Sequence, residues 1–324
     1  MTILGSAALG AGGFSAAGVG EVGIGAVGIL AGGLAWGLVE ARAFTVRSVR
    51  VPVLPEGSAP IRVLHVSDIH LMPRQRAKLA WISALGELKP DLVVNTGDNL
   101  AHPGAVAPLL DALGPLLAVP GAFVHGSNDY YRAVPKNPFT YFRGPTTLRP
   151  DPSALPWEEM TAAFVAAGWR DLRNARATLG VGEARVHLVG LDDPHIERDR
   201  MPSATGAAGD RAGGERVRLG LVHAPYARAL AALRDDGAGL ILAGHTHGGQ
   251  VCVPGLGALV TNCDLDRRRA KGLSGWPGAR PDRPGGGGSV WLNVSAGIGT
   301  SPYAPVRFAC RPEASLLTLV AMDA

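Results

Sequence analysis

The chain has 324 residues, 47% of them hydrophobic and 18% charged, with a formal net charge of +4. That length admits one large α/β domain or two small ones, and the composition excludes a disordered chain, which combines low hydrophobicity with high charge. The small positive balance lacks a dense basic stripe and argues against a nucleic-acid partner; three cysteines (Cys252, Cys263, Cys310), none in a CxxC pair, exclude a disulfide framework.

Residues 1–39 contain no Lys or Arg, and Glu21 is their only charge. From Val22 to Val39 runs an uncharged stretch of Ala, Gly, Val, Ile and Leu, long enough to cross a bilayer as a helix. A membrane anchor, a secretory signal without its basic n-region, and a surface-packed or disordered Gly/Ala segment compete as readings. The anchor is preferred. Arg42, Arg47 and Arg50 would then keep the following domain on the cytoplasmic side. Residues 1–50 read as apolar segment plus linker, and 51–324 as the functional domain.

From Arg62 short apolar strands alternate with helical patterns. Strands are expected over 62–66, 92–94, 122–124, 186–191, 219–222, 240–243, 290–294 and 316–320. Helices are expected over 76–88, closed by Pro90, and over 106–117, 157–167 and 226–234. The Pro- and Arg-rich stretch 136–156, the Gly/Ala/Ser-rich stretch 200–215 and the basic stretch 267–288 read as irregular or mobile excursions. The alternation argues for a layered α/β core.

The residues just past the strands carry the chemistry. Asp68 and His70 come after the first, Asp98 after the second, Asn128 after the third, His223 after a later one, and His245 and His247 after the next. In open α/β sheets that edge is where sites form. Such a set of carboxylates, imidazoles and an amide suits a pair of borderline divalent ions such as Mn, Fe, Zn or Co. Two ions about 3.5–4 Å apart can clamp the entering and leaving oxygens of a phosphoryl displacement.

The ordered run Asp68-x-His70, Gly97-Asp98-Asn99, Gly126-Ser127-Asn128-Asp129, His223 and Gly244-His245-Thr246-His247 resembles the calcineurin-like metallophosphoesterase family. No one motif is specific; five in order, each after a strand, are. Gly248-Gly249-Gln250, Pro305-Val306-Arg307-Phe308 and Arg311-Pro312-Glu313 resemble its membrane-associated bacterial phosphodiesterase branch. The resemblance implies a four-layer αββα sandwich of two mixed sheets. It implies hydrolysis of a phosphodiester or phosphoanhydride bond by a metal-bridging hydroxide, with two divalent ions as cofactors. It implies Asp68, His70 and His247 on the first ion, Asp98 as bridge, and His223 and His245 on the second. The implied partner is a phosphate-containing small molecule or lipid-linked substrate, with membrane contact. The alternative is a catalytically weak or silent, membrane-tethered metal-binding domain.

The third motif departs from the family's Gly-Asn-His-Asp/Glu. Ser127 stands at the ligand Asn, and Asn128 at the His that assists the leaving group. Either Asn128 supplies its amide oxygen after a one-residue shift, or Ser127 or a water fills the second site while Asn128 hydrogen-bonds phosphate. Asn128 cannot act as a general acid, help typically worth about 10²–10⁴-fold; His125 and His102 are the substitutes nearest in sequence. His65 and His187 read as core or sheet-face residues, His195 as a surface one, Asp192-Asp193 as a turn, Arg267-Arg268-Arg269 as a solvated or lipid-facing loop, and Cys252 as small and buried. Serine-hydrolase and P-loop motifs are absent.

Overall fold

The structure, a computed structural model, describes residues 31–135, 153–203 and 217–322. Most of the excursions expected over 136–156 and 200–215 lie outside them. A helix, α1, covers residues 31–40. The remaining elements form two six-stranded mixed sheets with helices packed on them, a two-stranded antiparallel pair of β10 (Cys252–Val253) and β11 (Gly257–Ala258), and the one-turn helix α4 (Ser127–Tyr130). The first sheet has β1 (Thr45–Leu54), β14 (Glu313–Ala321), β2 (Ile61–Val66), β3 (Leu92–Asn95), β4 (Gly121–Phe123) and β5 (Arg170–Asp171), in that spatial order. The second orders β12 (Gly272–Trp276), β13 (Val290–Val294), β9 (Leu240–Ala243), β8 (Arg218–Leu221), β7 (Ala184–Gly190) and β6 (Ala175–Val181).

β2, β3 and β4 pair in parallel, as do β7, β8, β9 and β13. Such strands are covered on both faces, and this explains their unbroken apolar runs. Val63, Val94, Leu219, Leu242 and Leu317 meet between the two sheets. The outer face of the first sheet, with Leu64, Val66 and Phe123, packs on α2 (Arg76–Ala84), α3 (Val106–Leu117) and α5 (Trp157–Ala166) through Ile82, Leu113 and Phe164. The outer face of the second, with Val189, Ile241 and Leu292, packs on α6 (Ala227–Asp235) through Leu230 and Leu233. Every expected strand and helix finds a counterpart. β1, β5, β6, β10, β11 and β12 are additions; β12 lies inside the stretch expected to be irregular and forms by antiparallel pairing with β13.

The expectation of a membrane-held chain is overturned. Residues 22–30 of the apolar run lie outside the described residues, and among the described residues no helix is long and apolar enough to cross a membrane. Residues 31–40 instead end at Glu40, whose carboxylate is buried and accepts the backbone N–H groups of Ala309 at 3.1 Å and Cys310 at 2.7 Å. In the basic stretch, Arg269 donates to the carbonyls of Gly275, Pro277 and Gly278.

His65 joins the sheets. On β2 it points inward, its Nδ1 accepting from Asn293 Nδ2 of β13 at 3.1 Å while Nε2 faces Thr96 Oγ1 at 2.9 Å. Burial pushes this imidazole down to about 3. The unfolded chain therefore takes up a proton below about 6.5 that the folded chain refuses, so the stability His65 contributes is present above that pH and lost as pH falls toward 3. In urea unfolding between pH 7 and 4, His65→Gln is expected to lose stability less steeply than the parent by up to about 1.4 kcal/mol per pH unit; parallel curves would contradict this.

Candidate metal centre

Asp68, His70, Asp98, Asn128, His223, His245 and His247 all stand just beyond the C-terminal ends of parallel strands of the two sheets. Five of them (Asp68, His70, Asp98, His245 and His247) have left-handed backbone, with φ between 43° and 69°. Non-glycine residues rarely adopt this conformation, and its cost is tolerated where the surroundings impose it, characteristically at functional sites. The surroundings here are specific. The Asp129 carboxylate accepts the N–H groups of Asp98 at 2.8 Å, Asn99 at 2.7 Å and Gly126 at 3.0 Å, fastening the second motif to the third. Gly126 leaves no room for a side chain, since a Cβ there would run into the Asp98 carboxylate and the His223 ring.

Two groups of ligand atoms converge, each within 4.8 Å: Asp68, His70 and His247, and Asp68, Asp98 and His223. Asp98 Oδ2 lies 3.5 Å from His70 Nε2 and 3.4 Å from His223 Nε2, and accepts Asn128 Nδ2 at 2.7 Å. The Asn128 N–H donates to Asp98 Oδ1 at 2.8 Å. His245 reaches this group through its backbone N–H, 3.1 Å from both Asp68 oxygens, and its ring meets that of His223 edge-on at 5.3 Å.

The donor set fits metal ions. Nε2 of His70 and Nε2 of His247 face each other at 3.1 Å, an arrangement that an ion accepting both lone pairs would satisfy. His223 Nε2 is buried without a hydrogen-bond partner among the described residues. Each of three rings faces a backbone carbonyl with its other nitrogen: His223 Nδ1 with Thr96 O at 2.7 Å, His247 Nδ1 with Gly299 O at 3.2 Å, and His245 Nε2 with Asn262 O at 3.1 Å. Such a bond fixes the tautomer and leaves the second nitrogen for a metal. Burial pushes His245 and His247 well down and His70 to about 4, keeping these rings neutral, as ligands must be. Burial also pushes Asp68 up, to about 6. Burial works the other way on the central pair, but their mutual attraction overrides it: Asp98 is held well below, and His223 well above, its ordinary range.

A chain of buried polar groups runs to Asp68 from the inter-sheet core. His65 Nε2–H donates to Thr96 Oγ1, Thr96 Oγ1 to Ser67 Oγ at 2.7 Å, and Ser67 Oγ to Asp68 Oδ2 at 2.6 Å. Neither Ser67 nor Thr96 was singled out by the sequence; their only signal was adjacency to the motifs. Neither substitute for the missing acid reaches the site. His125 is buried, its Nε2 on Thr161 Oγ1 at 2.9 Å, and His102 accepts from Gly104 N at 3.0 Å. His195, expected at the surface, is instead half-buried with its ring 4.6 Å from that of His245.

The calcineurin-like phosphoesterase family model matches residues 61–249, more than half of the chain. The chain belongs to that family. This phosphoesterase is similar to the uncharacterized metallophosphoesterase YkuE of Bacillus subtilis, 27% identical over 87% of this chain and 86% of that one. It is similar to the phosphodiesterase YaeI of Escherichia coli, 28% identical over 84% and 86%. A transmembrane protein with a metallophosphoesterase domain from Danio rerio is 30% identical over 67% of this chain and 47% of its own length. Calcineurin-like phosphoesterases use divalent metals, and the Asp and His clusters supply donors for them.

Ser67→Ala leaves one Asp68 oxygen without its hydroxyl donor and Thr96 without its acceptor. Metal affinity measured by competition with a chromogenic chelator is expected to fall about 10–100-fold; unchanged affinity would show that the hydroxyl chain does not hold the carboxylate.

Proposed function

We propose that this calcineurin-like phosphoesterase hydrolyses a phosphodiester or phosphoanhydride bond of a small phosphate-containing substrate, using two divalent ions. Asp68, His70 and His247 would hold one and Asn128, His223 and His245 the other, with Asp98 shared between them. Such ions, when bound, generate a nucleophile from water at neutral pH and offset charge on the phosphoryl oxygens. The observation that carries this reading is Asp98 Oδ2 standing 3.5 Å from His70 Nε2, 3.4 Å from His223 Nε2 and 2.7 Å from the Asn128 amide nitrogen.

The remaining steps belong to the chain's own groups. The Thr96, Gly299 and Asn262 carbonyls orient the rings, and the Ser67 hydroxyl and His245 N–H orient Asp68. The Asn128 amide nitrogen donates to Asp98, which sets this amide beside the shared carboxylate and is compatible with either repair of the third motif. An amide oriented this way can ligate through oxygen or donate to a phosphoryl oxygen through nitrogen, but it carries no proton to give a departing alkoxide. The site thus favours leaving groups stable as anions, such as aryloxides and phosphates. The silent metal-binding alternative is not favoured, since Asp68, His70, Asp98, His223 and His247 converge in two clusters of ligand atoms, although the His245 ring joins neither.

Hydrolysis of a bis-aryl phosphate is expected to require added Mn, to stop with chelator and return on reloading. Asp98→Asn should lower kcat/KM by about 10²-fold or more, since an amide cannot serve two ions as a carboxylate does. Absence of metal-dependent turnover on aryl diesters, aryl monoesters and diphosphates alike would overturn the reading.

A further inference from the structure

Arg307 lies beyond the residues that the family model matches, in a segment that the function above does not use. It is completely buried. Its guanidinium meets no carboxylate at ion-pair distance among the described residues; it donates to backbone carbonyls. Nη2 reaches Gly299 O at 2.7 Å, Ala296 O at 2.6 Å and Gly297 O at 3.1 Å; Nη1 reaches His247 O and Cys310 O, each at 3.3 Å. Asp68 and Glu313 attract it only from beyond ion-pair distance, and a buried cation so weakly paired is costly where an apolar side chain would serve packing alone.

Two of these acceptors belong to the metal centre. Gly299 O is also the partner of His247 Nδ1, at 3.2 Å. Arg307 Nη2 stands 3.4 Å from that same Nδ1. A carbonyl oxygen can only accept, so the closer Gly299 O favours a proton on Nδ1 and leaves Nε2 unprotonated toward His70 and Asp68, whereas the longer Nη2 contact could only donate to a bare Nδ1. His247 Nε2 lies 3.6 Å from Asp68 Oδ1. The same guanidinium grips the backbone carbonyl of His247, so ring and main chain are fixed from one point.

We propose that Arg307 is a positioning residue for the ion held by Asp68, His70 and His247: by fixing the Gly299 carbonyl it sets the tautomer and direction of the His247 imidazole. This assignment rests on the two-ion reading of the site. α1 supports it from behind, because the Arg307 N–H donates to Gly37 O at 3.0 Å and Glu40 holds Ala309 and Cys310.

The test compares Arg307→Met and Arg307→Lys with Arg269→Met, which removes an arginine that also binds three carbonyls, those of Gly275, Pro277 and Gly278, none of them a partner of a candidate ligand. Mn binding is measured by chelator competition and elemental analysis, and the His247 tautomer by ring nitrogen chemical shifts in metal-free protein. Arg307→Met should weaken one of two Mn ions about 10–100-fold and shift His247 toward the Nε2–H tautomer; Arg307→Lys should recover part of both effects, and Arg269→Met should show neither. Native affinity for both ions with an unchanged tautomer would overturn the assignment. So would failure of both Arg307 variants to fold, which would make the residue's role that of the fold. If the parent itself bound no Mn, the two-ion reading would fall, while the tautomer measurement would still decide on Arg307.

Discussion

A carboxylate buried between two imidazoles and an amide is the constraint around which this molecule is arranged. Asp98 is almost wholly inaccessible, and an isolated charge there would be expensive to desolvate. Its attraction to His223 makes the ionised form tolerable, and that attraction exists only because two separate sheets end at the same place. β2, β3 and β4 bring Asp68, His70, Asp98 and Asn128 from one side; β8 and β9 bring His223, His245 and His247 from the other. The core between the sheets, with Val63, Val94, Leu219 and Leu242, holds the two sets of strand ends in register.

The local backbone bears the cost of this convergence. Left-handed conformations at five candidate ligand positions each cost on the order of 1–3 kcal/mol, which the surroundings must offset. A set of bonds made by the loops themselves imposes them: Asp129 to three N–H groups, His70 N–H to Asp98 O at 2.9 Å, and Asp68 N–H to Gly97 O at 2.9 Å. The loops are thus stitched to one another before any ion arrives. Removing Asp129 would therefore release the second and third motifs together, although Asp129 touches none of the proposed ions.

The physics of each part decides how much of it is legible in the sequence. The candidate ligand positions were legible because each comes after a short, largely apolar strand, and polar residues in that place have few other reasons to be there. The strand–helix alternation was legible from periodicity, and α3 matches its expected bounds, Val106–Leu117. The strand β12 was not, since Gly272–Trp276 has no strand-like pattern of its own and is recruited by pairing with β13. Ser67, Thr96 and Arg307 were not assigned roles because buried polar networks have no periodicity, and an arginine is read as exposed by default. Hydropathy of the run before residue 40 likewise gives no sign that Glu40 ties the end of α1 to Ala309 and Cys310.

The central claim is that Asp98 lies between two ions. Crystals soaked in Mn and measured at the anomalous edge test it most directly. The account predicts two anomalous peaks about 3.5–4 Å apart, one beside His70 and His247 and one beside His223, His245 and Asn128, with an Asp98 oxygen within coordinating reach of each. A lone peak outside this cluster, or none at saturating Mn, would contradict it.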